Sequence, residues 1–146
     1  MHQRTLARTR TLFALVTLSA LACGCANTGP PQGVALPNGY YLQPDKSAQT
    51  LLVKRSGGRV LPTPIAAYAV SRNIVAGALG EISPESRPCT NDCPFTGGPE
   101  TRYFVLNTLD GKLDSNLDED AWRRRLEEEG VPASFRIYAP LRWQQG

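Results

Sequence analysis

Apolar and polar positions change their rhythm several times along the 146 residues. Leu12–Ala22 is one unbroken, mostly apolar run. From Tyr40 onward the apolar stretches shorten to strand length and are separated by Gly, Pro, Asn and Asp. Tyr40–Gln43 is a β candidate stopped by Pro44. Thr50–Arg55 and Arg59–Leu61 flank Ser56-Gly57-Gly58 and read as a hairpin. Ala66–Ser71 and Ile74–Leu79 flank Arg72-Asn73 and read as a second, with the asparagine suited to a left-handed turn. Arg102–Thr108 has a continuous apolar centre, the pattern of a strand buried on both faces.

Helical spacing occurs once, from Leu117 to Glu129. Leu117, Ala121, Trp122 and Leu126 gather on one side, while Asp118, Glu119 and Asp120 fill the first turn, where the helix dipole favours negative charge. Ser115 or Asn116 is the expected N-cap, with Asp118 or Glu119 three residues on completing a capping box, and Gly130 and Pro132 end the helix. Ser134–Ala139 alternates with period two and predicts a closing strand that turns Phe135, Ile137 and Ala139 to one face. Trp143 is expected over the edge of the core. The fold class expected is α+β: a small antiparallel meander sheet of five to seven strands with one C-terminal helix packed on it.

The segment from Gly80 to Thr101 lacks periodicity and holds Pro84, Pro88, Pro94, Pro99 and Gly97-Gly98. Loops of more than about 12–15 residues with no structure of their own are usually functional or disordered. Cys89-Thr-Asn-Asp-Cys93 can close a small disulfide ring across it. The three-residue spacing does not match the two-residue spacing of a redox dithiol, and a zinc site needs more ligands than two thiols. Asp92, Pro94 and Phe95 beside the ring are candidate contact residues for a protein partner. The alternative for Phe95 is that it tucks under the loop into the core.

Composition bears on chemistry chiefly through the first residues. Arg4, Arg8 and Arg10 precede the 11-residue apolar run, and small residues running into Cys23-Gly24-Cys25-Ala26 follow it. A spanning helix needs about 20 residues, so the run reads as an export signal. The junction resembles the lipobox of bacterial lipoproteins. That resemblance implies a diacylated cysteine as the new N-terminus, anchoring the protein in a lipid bilayer. The modified residue is Cys25, which leaves Cys89 and Cys93 as an even pair, or else Cys23. Neither cysteine is followed by aspartate, which by the same resemblance implies the periplasmic face of the outer membrane. The inner membrane, or secretion after a cut near Ala22 or Ala26, are the alternatives. Residues 1–24 are then signal, 25–37 a Pro/Gly-rich tether, and 38–146 a single domain. The eleven residues from Asn27 to Pro37 reach at most about 35 Å.

Removing the signal changes the charge balance. Without Arg4, Arg8 and Arg10, thirteen Lys and Arg face thirteen Asp and Glu. A neutral mature chain gives no ground for expecting a nucleic-acid partner. The sole histidine, His2, also leaves, and with it any Ser-His-Asp, Cys-His or histidine–zinc arrangement. Asp114–Asp118 begins like a calcium loop, but Glu119 and Arg125 stand where glycine and the bidentate glutamate belong. Arg123–Arg125 lies within one helical turn of Glu119, Asp120 and Glu127–Glu129, which favours a solvated, salt-bridged face over a phosphate or partner patch. No catalytic residue, metal ligand or cofactor is assigned. The function expected is a non-catalytic protein-binding module, a regulator or immunity-type inhibitor of an envelope enzyme or toxin. The alternatives are a structural accessory of the envelope and, weaker, a carboxylate-based hydrolase.

Overall fold

Tyr40 and Leu42 alternate with Tyr41 and Gln43, and in the computed structural model, which describes residues 33–82 and 94–140, that alternation is a strand. Three strands make a first antiparallel sheet: β1 (Val34–Leu36), β2 (Tyr40–Pro44) and β3 (Thr50–Lys54). Val34–Leu36, expected as the end of the tether, thus pairs with β2 in the register Val34↔Leu42 and Leu36↔Tyr40. The β2–β3 turn is built by Asp45, whose carboxylate accepts from the Ser47 and Gln49 amides at 2.7 and 2.9 Å. The expected return strand at Arg59–Leu61 is reduced to one bridge, Val53↔Arg59. Pro62 lacks an N–H, and Pro64 follows it, so this return cannot extend along β3.

The second sheet has four antiparallel strands in chain order: β4 (Ile65–Ser71), β5 (Ile74–Leu79), β6 (Arg102–Asn107) and β7 (Leu113–Leu117). The seven strands are therefore divided between two meanders rather than joined in one. At the β4–β5 turn it is Arg72, not Asn73, that takes the left-handed backbone, with φ 53°. Asn73 instead uses its polar groups to tie the sheets together. Its carbonyl accepts from the Thr108 amide and hydroxyl, each at 2.8 Å, and its side chain accepts from Asn38.

β7 was not evident in the chain, because Leu113-Asp-Ser-Asn-Leu117 carries no apolar alternation. It exists as an edge partner of β6, with a register shift and Asn116 at φ 59°. The helix α1 (Glu119–Glu128) consequently starts later than expected. Its N-cap is Asp118, which accepts from the Ala121 amide at 2.8 Å, while Ser115 and Asn116 belong to the strand. At the other end Gly130 donates to Glu127 and Val131 to Leu126, both at 2.9 Å, the paired bonds that close a helix on a left-handed glycine.

The expected closing strand at Ser134–Ala139 is also corrected. Only Tyr138 bridges, to Tyr68 of β4 and to Pro94. Proline supplies no N–H on that side, and Pro132 and Pro140 bracket the segment. Its alternation survives in part: Ile137 is buried and Phe135 half-buried, but Ala139 is exposed.

The four-stranded sheet is the middle layer, with the first sheet on one face and α1 on the other. One core joins Leu42, Leu52, Leu61 and Ile65 to Val75, Phe104 and Leu106. The other joins Ala76, Ala78, Tyr103 and Val105 to Trp122, Leu126 and Ile137. Gly77 lies where the layers are tightest, since a Cβ there would overlap the Ala67 carbonyl and the Phe104 ring.

Candidate functional site

Successive turns of α1 place Glu119, Trp122 and Arg123 on neighbouring positions of one face. β6 brings Tyr103 beneath them, and the Tyr103 and Trp122 rings stack with centroids 4.7 Å apart and planes 20° from parallel. The Arg123 guanidinium lies 5.2 Å from the Trp122 centroid and forms a 3.3 Å ion pair with Glu119. Opposite the helix run two extended segments, residues 94–98 and 135–137. They are held together because the Phe95 amide donates to the Ile137 carbonyl at 2.8 Å and Pro94 bridges Tyr138.

Between these elements lies a hollow of about 310 Å³, with aromatic walls from Phe95, Tyr103, Trp122 and Phe135. Arg136 lies on its border, one guanidinium nitrogen donating to the Ala133 and Phe135 carbonyls at 3.1 and 3.0 Å. Gly97 keeps it open to the Tyr103 hydroxyl, because a Cβ at that position would occupy the same space as the oxygen. The loop is set by Thr101, whose hydroxyl accepts from the Gly98 amide at 2.9 Å.

Two polar groups here are unusual. Burial, with the Glu119 carboxylate adding to it and Arg123 opposing, holds the Tyr103 phenol above its ordinary pKa. Trp122 is buried, and its indole Nε1 has no hydrogen-bond partner among the described residues. A buried donor without an acceptor carries a desolvation cost of about 1–3 kcal/mol.

The structure brings together two of the three contact residues expected in the loop. Pro94 is exposed; Phe95 is half-buried against the helix-side core, and both border the hollow. Asp92, the expected disulfide cysteines Cys89 and Cys93, and the candidate lipidation sites Cys23 and Cys25 lie outside the described residues. Trp143 does too.

The arginine run does not form one solvated face. Arg125 is drawn inward, with its side chain 14% exposed, and pairs with Asp114 at 2.6 Å, with Glu128 at 3.3 Å and with Glu129. The hydrogen bond that Arg125 donates to the Asp114 carboxylate is the main cause of its raised pKa, partly opposed by burial and reinforced by Glu129. Arg125 therefore fastens α1 to β7, and only Arg123 and Arg124 stay exposed.

Sequence reasoning assigned Trp122 to the core and Phe135 and Arg136 to a strand. The available signal was the coincidence of aromatic and arginine side chains, Trp122-Arg123 and Phe135-Arg136, in segments on either side of Pro132. Compared with protein-family models, characterised proteins and solved structures, the chain matches none.

Proposed function

We propose that this chain is a lipid-anchored, periplasm-facing module of the outer membrane that binds another envelope protein and performs no catalysis itself. Its anchor is a diacylated Cys25, or Cys23, and its partner is an enzyme or toxin that it restrains. The supporting observation is the hollow beside Pro94 and Phe95. Loop residues with a side chain free to meet a partner need a rigid base, and here backbone bonding to 137 and 138 supplies one. Aromatic and arginine side chains around a cavity are also the residue types that carry most binding energy at protein interfaces.

Anchor and binding are tested separately. Cells fed an alkyne fatty acid should label the full chain, and Cys25→Ala should abolish that label. Label lost only in Cys23→Ala moves the site, and no label on the native chain rejects the anchor. For binding, the full chain is crosslinked in intact envelope and the recovered complexes are compared with those of Phe95→Asp. A stoichiometric partner lost in the variant supports the reading, and identical recovery overturns it.

A further inference from the structure

We propose that the hollow between Phe95, Trp122 and Phe135 receives a proline-rich, carboxylate-bearing peptide segment in the polyproline II conformation. This inference rests on the protein-binding reading and specifies the chemistry of the partner.

Trp122 borders the hollow, and its buried Nε1 lacks an acceptor among the described residues. Polyproline II makes no internal hydrogen bonds, so its backbone carbonyls are free to accept. Such a segment is already ordered before it binds, which lowers the entropy lost on docking. Aromatic-lined grooves are the surface that proline rings pack into.

The aromatic geometry separates a peptide from a sugar. A sugar ring needs an open aromatic face, yet the Trp122 ring already carries Tyr103 at 4.7 Å and Arg123 at 5.2 Å. What the hollow offers instead is the Phe95 and Phe135 rings, with Trp122 on its border. Arg123 can stay over the ring while changing partners: its side chain is 48% exposed, and its ion pair with the exposed Glu119 is of a kind that contributes little.

Charge favours a carboxylate on the peptide. Among the described residues, Arg123 and Arg136 border the hollow against one carboxylate, Glu119, an excess of one positive charge. Arg136 spends one guanidinium nitrogen on backbone carbonyls, and a guanidinium has further N–H groups with which to meet a carboxylate.

The test uses the full chain carrying Trp143→Phe, so that Trp122 is the only indole. The probe is a capped ten-residue peptide of proline with one central glutamate. Two controls replace the glutamate by glutamine, or all the prolines by glycine and serine. The glutamate peptide should shift Trp122 emission saturably. The glutamine peptide, and the Arg136→Gln variant, should each bind several-fold more weakly. Trp122→Phe, followed by calorimetry, should keep a cooperative melt and lose roughly fivefold in affinity, the worth of one hydrogen bond. No binding at a peptide concentration on the order of 1 mM, equal binding of the glycine–serine control, or unchanged affinity in a folded Trp122→Phe overturns the proposal. A chain that binds the peptide but carries no lipid label fails the anchor alone. A labelled chain with an envelope partner but no peptide affinity fails only this inference.

Discussion

On one face of the middle sheet, Val75, Phe104 and Leu106 meet Leu42, Leu52 and Leu61, every one of them at most 1% exposed. On the other, the sheet offers Ala76, Ala78, Tyr103 and Val105 to a single helix. Large aliphatic side chains from two sheets interdigitate and close the first face. Small alanines under one helix cannot fill the second to its border, and its edge opens into the aromatic hollow, where the indole donor of Trp122 has no acceptor among the described residues. Neighbouring residues of β6 thus have different surroundings: Phe104 and Leu106 pack inside the closed core, while Tyr103 stacks on Trp122 at the border of the hollow. The difference teaches where substitution should be felt as stability and where as binding.

The largest effect is expected on the closed face. Phe104→Ala should lower unfolding stability by about 3–5 kcal/mol, from lost transfer energy and the cavity left behind. Denaturant unfolding of the full chain measures it, and a loss under about 1 kcal/mol would mean that this face is not the rigid one. Next comes the latch between α1 and β7. Arg125→Ala leaves Asp114 and the largely buried Glu129 without their guanidinium, at a cost of about 1–3 kcal/mol. Its counterpart Arg124→Ala, at an exposed position on the same helix, should change stability by at most about 0.5 kcal/mol.

A smaller effect reports on burial at high pH. Tyr103 on the open face and Tyr68 beside the closed one both hold their phenols above the ordinary value of 10.0, chiefly through burial. The folded state then binds the phenolic proton more tightly than the unfolded state. Stability from these groups is intact below pH 10.0 and is lost as pH rises through that value toward the folded one. Alkaline melts should fall less steeply for Tyr103→Phe and for Tyr68→Phe than for the native chain. A slope unchanged in both variants would deny that either ring is desolvated.

How far this contrast was legible in the chain depends on the kind of signal. β6 announced itself by continuous apolar residues, and α1 by Leu-x-x-x-Ala-Trp spacing, because both elements are buried. β7 carried no such signal: its five residues are held by the ladder to β6, and an edge strand needs no apolar alternation. The split into two sheets was equally hidden, since alternation shows that a strand has a buried face without showing which sheet covers it. For the site, Pro94 and Phe95 were visible as loop residues beside a candidate ring. Trp122 and Arg136 were not, because an amphipathic helix and a period-two segment look alike whether the apolar face ends in a core or in a hollow.

The smallest stability effect carries the most about the open face. Trp122→Phe removes buried apolar surface, which costs stability, and removes a buried donor with no acceptor among the described residues, which returns it. The two terms are of similar size, so the net change should stay within about 1 kcal/mol, with the Tyr103 stack retained by the smaller ring. Phe104→Leu on the closed face is the matched comparison. It deletes less volume but releases no polar penalty, and should cost about 1–2 kcal/mol. If thermal melts place Trp122→Phe well below Phe104→Leu, the indole N–H has an acceptor in the folded protein, and the helix-side face is as complete as the other. If the order is as expected, phenylalanine holds the fold at this site as well as tryptophan does, and the indole N–H contributes nothing to stability within the described residues.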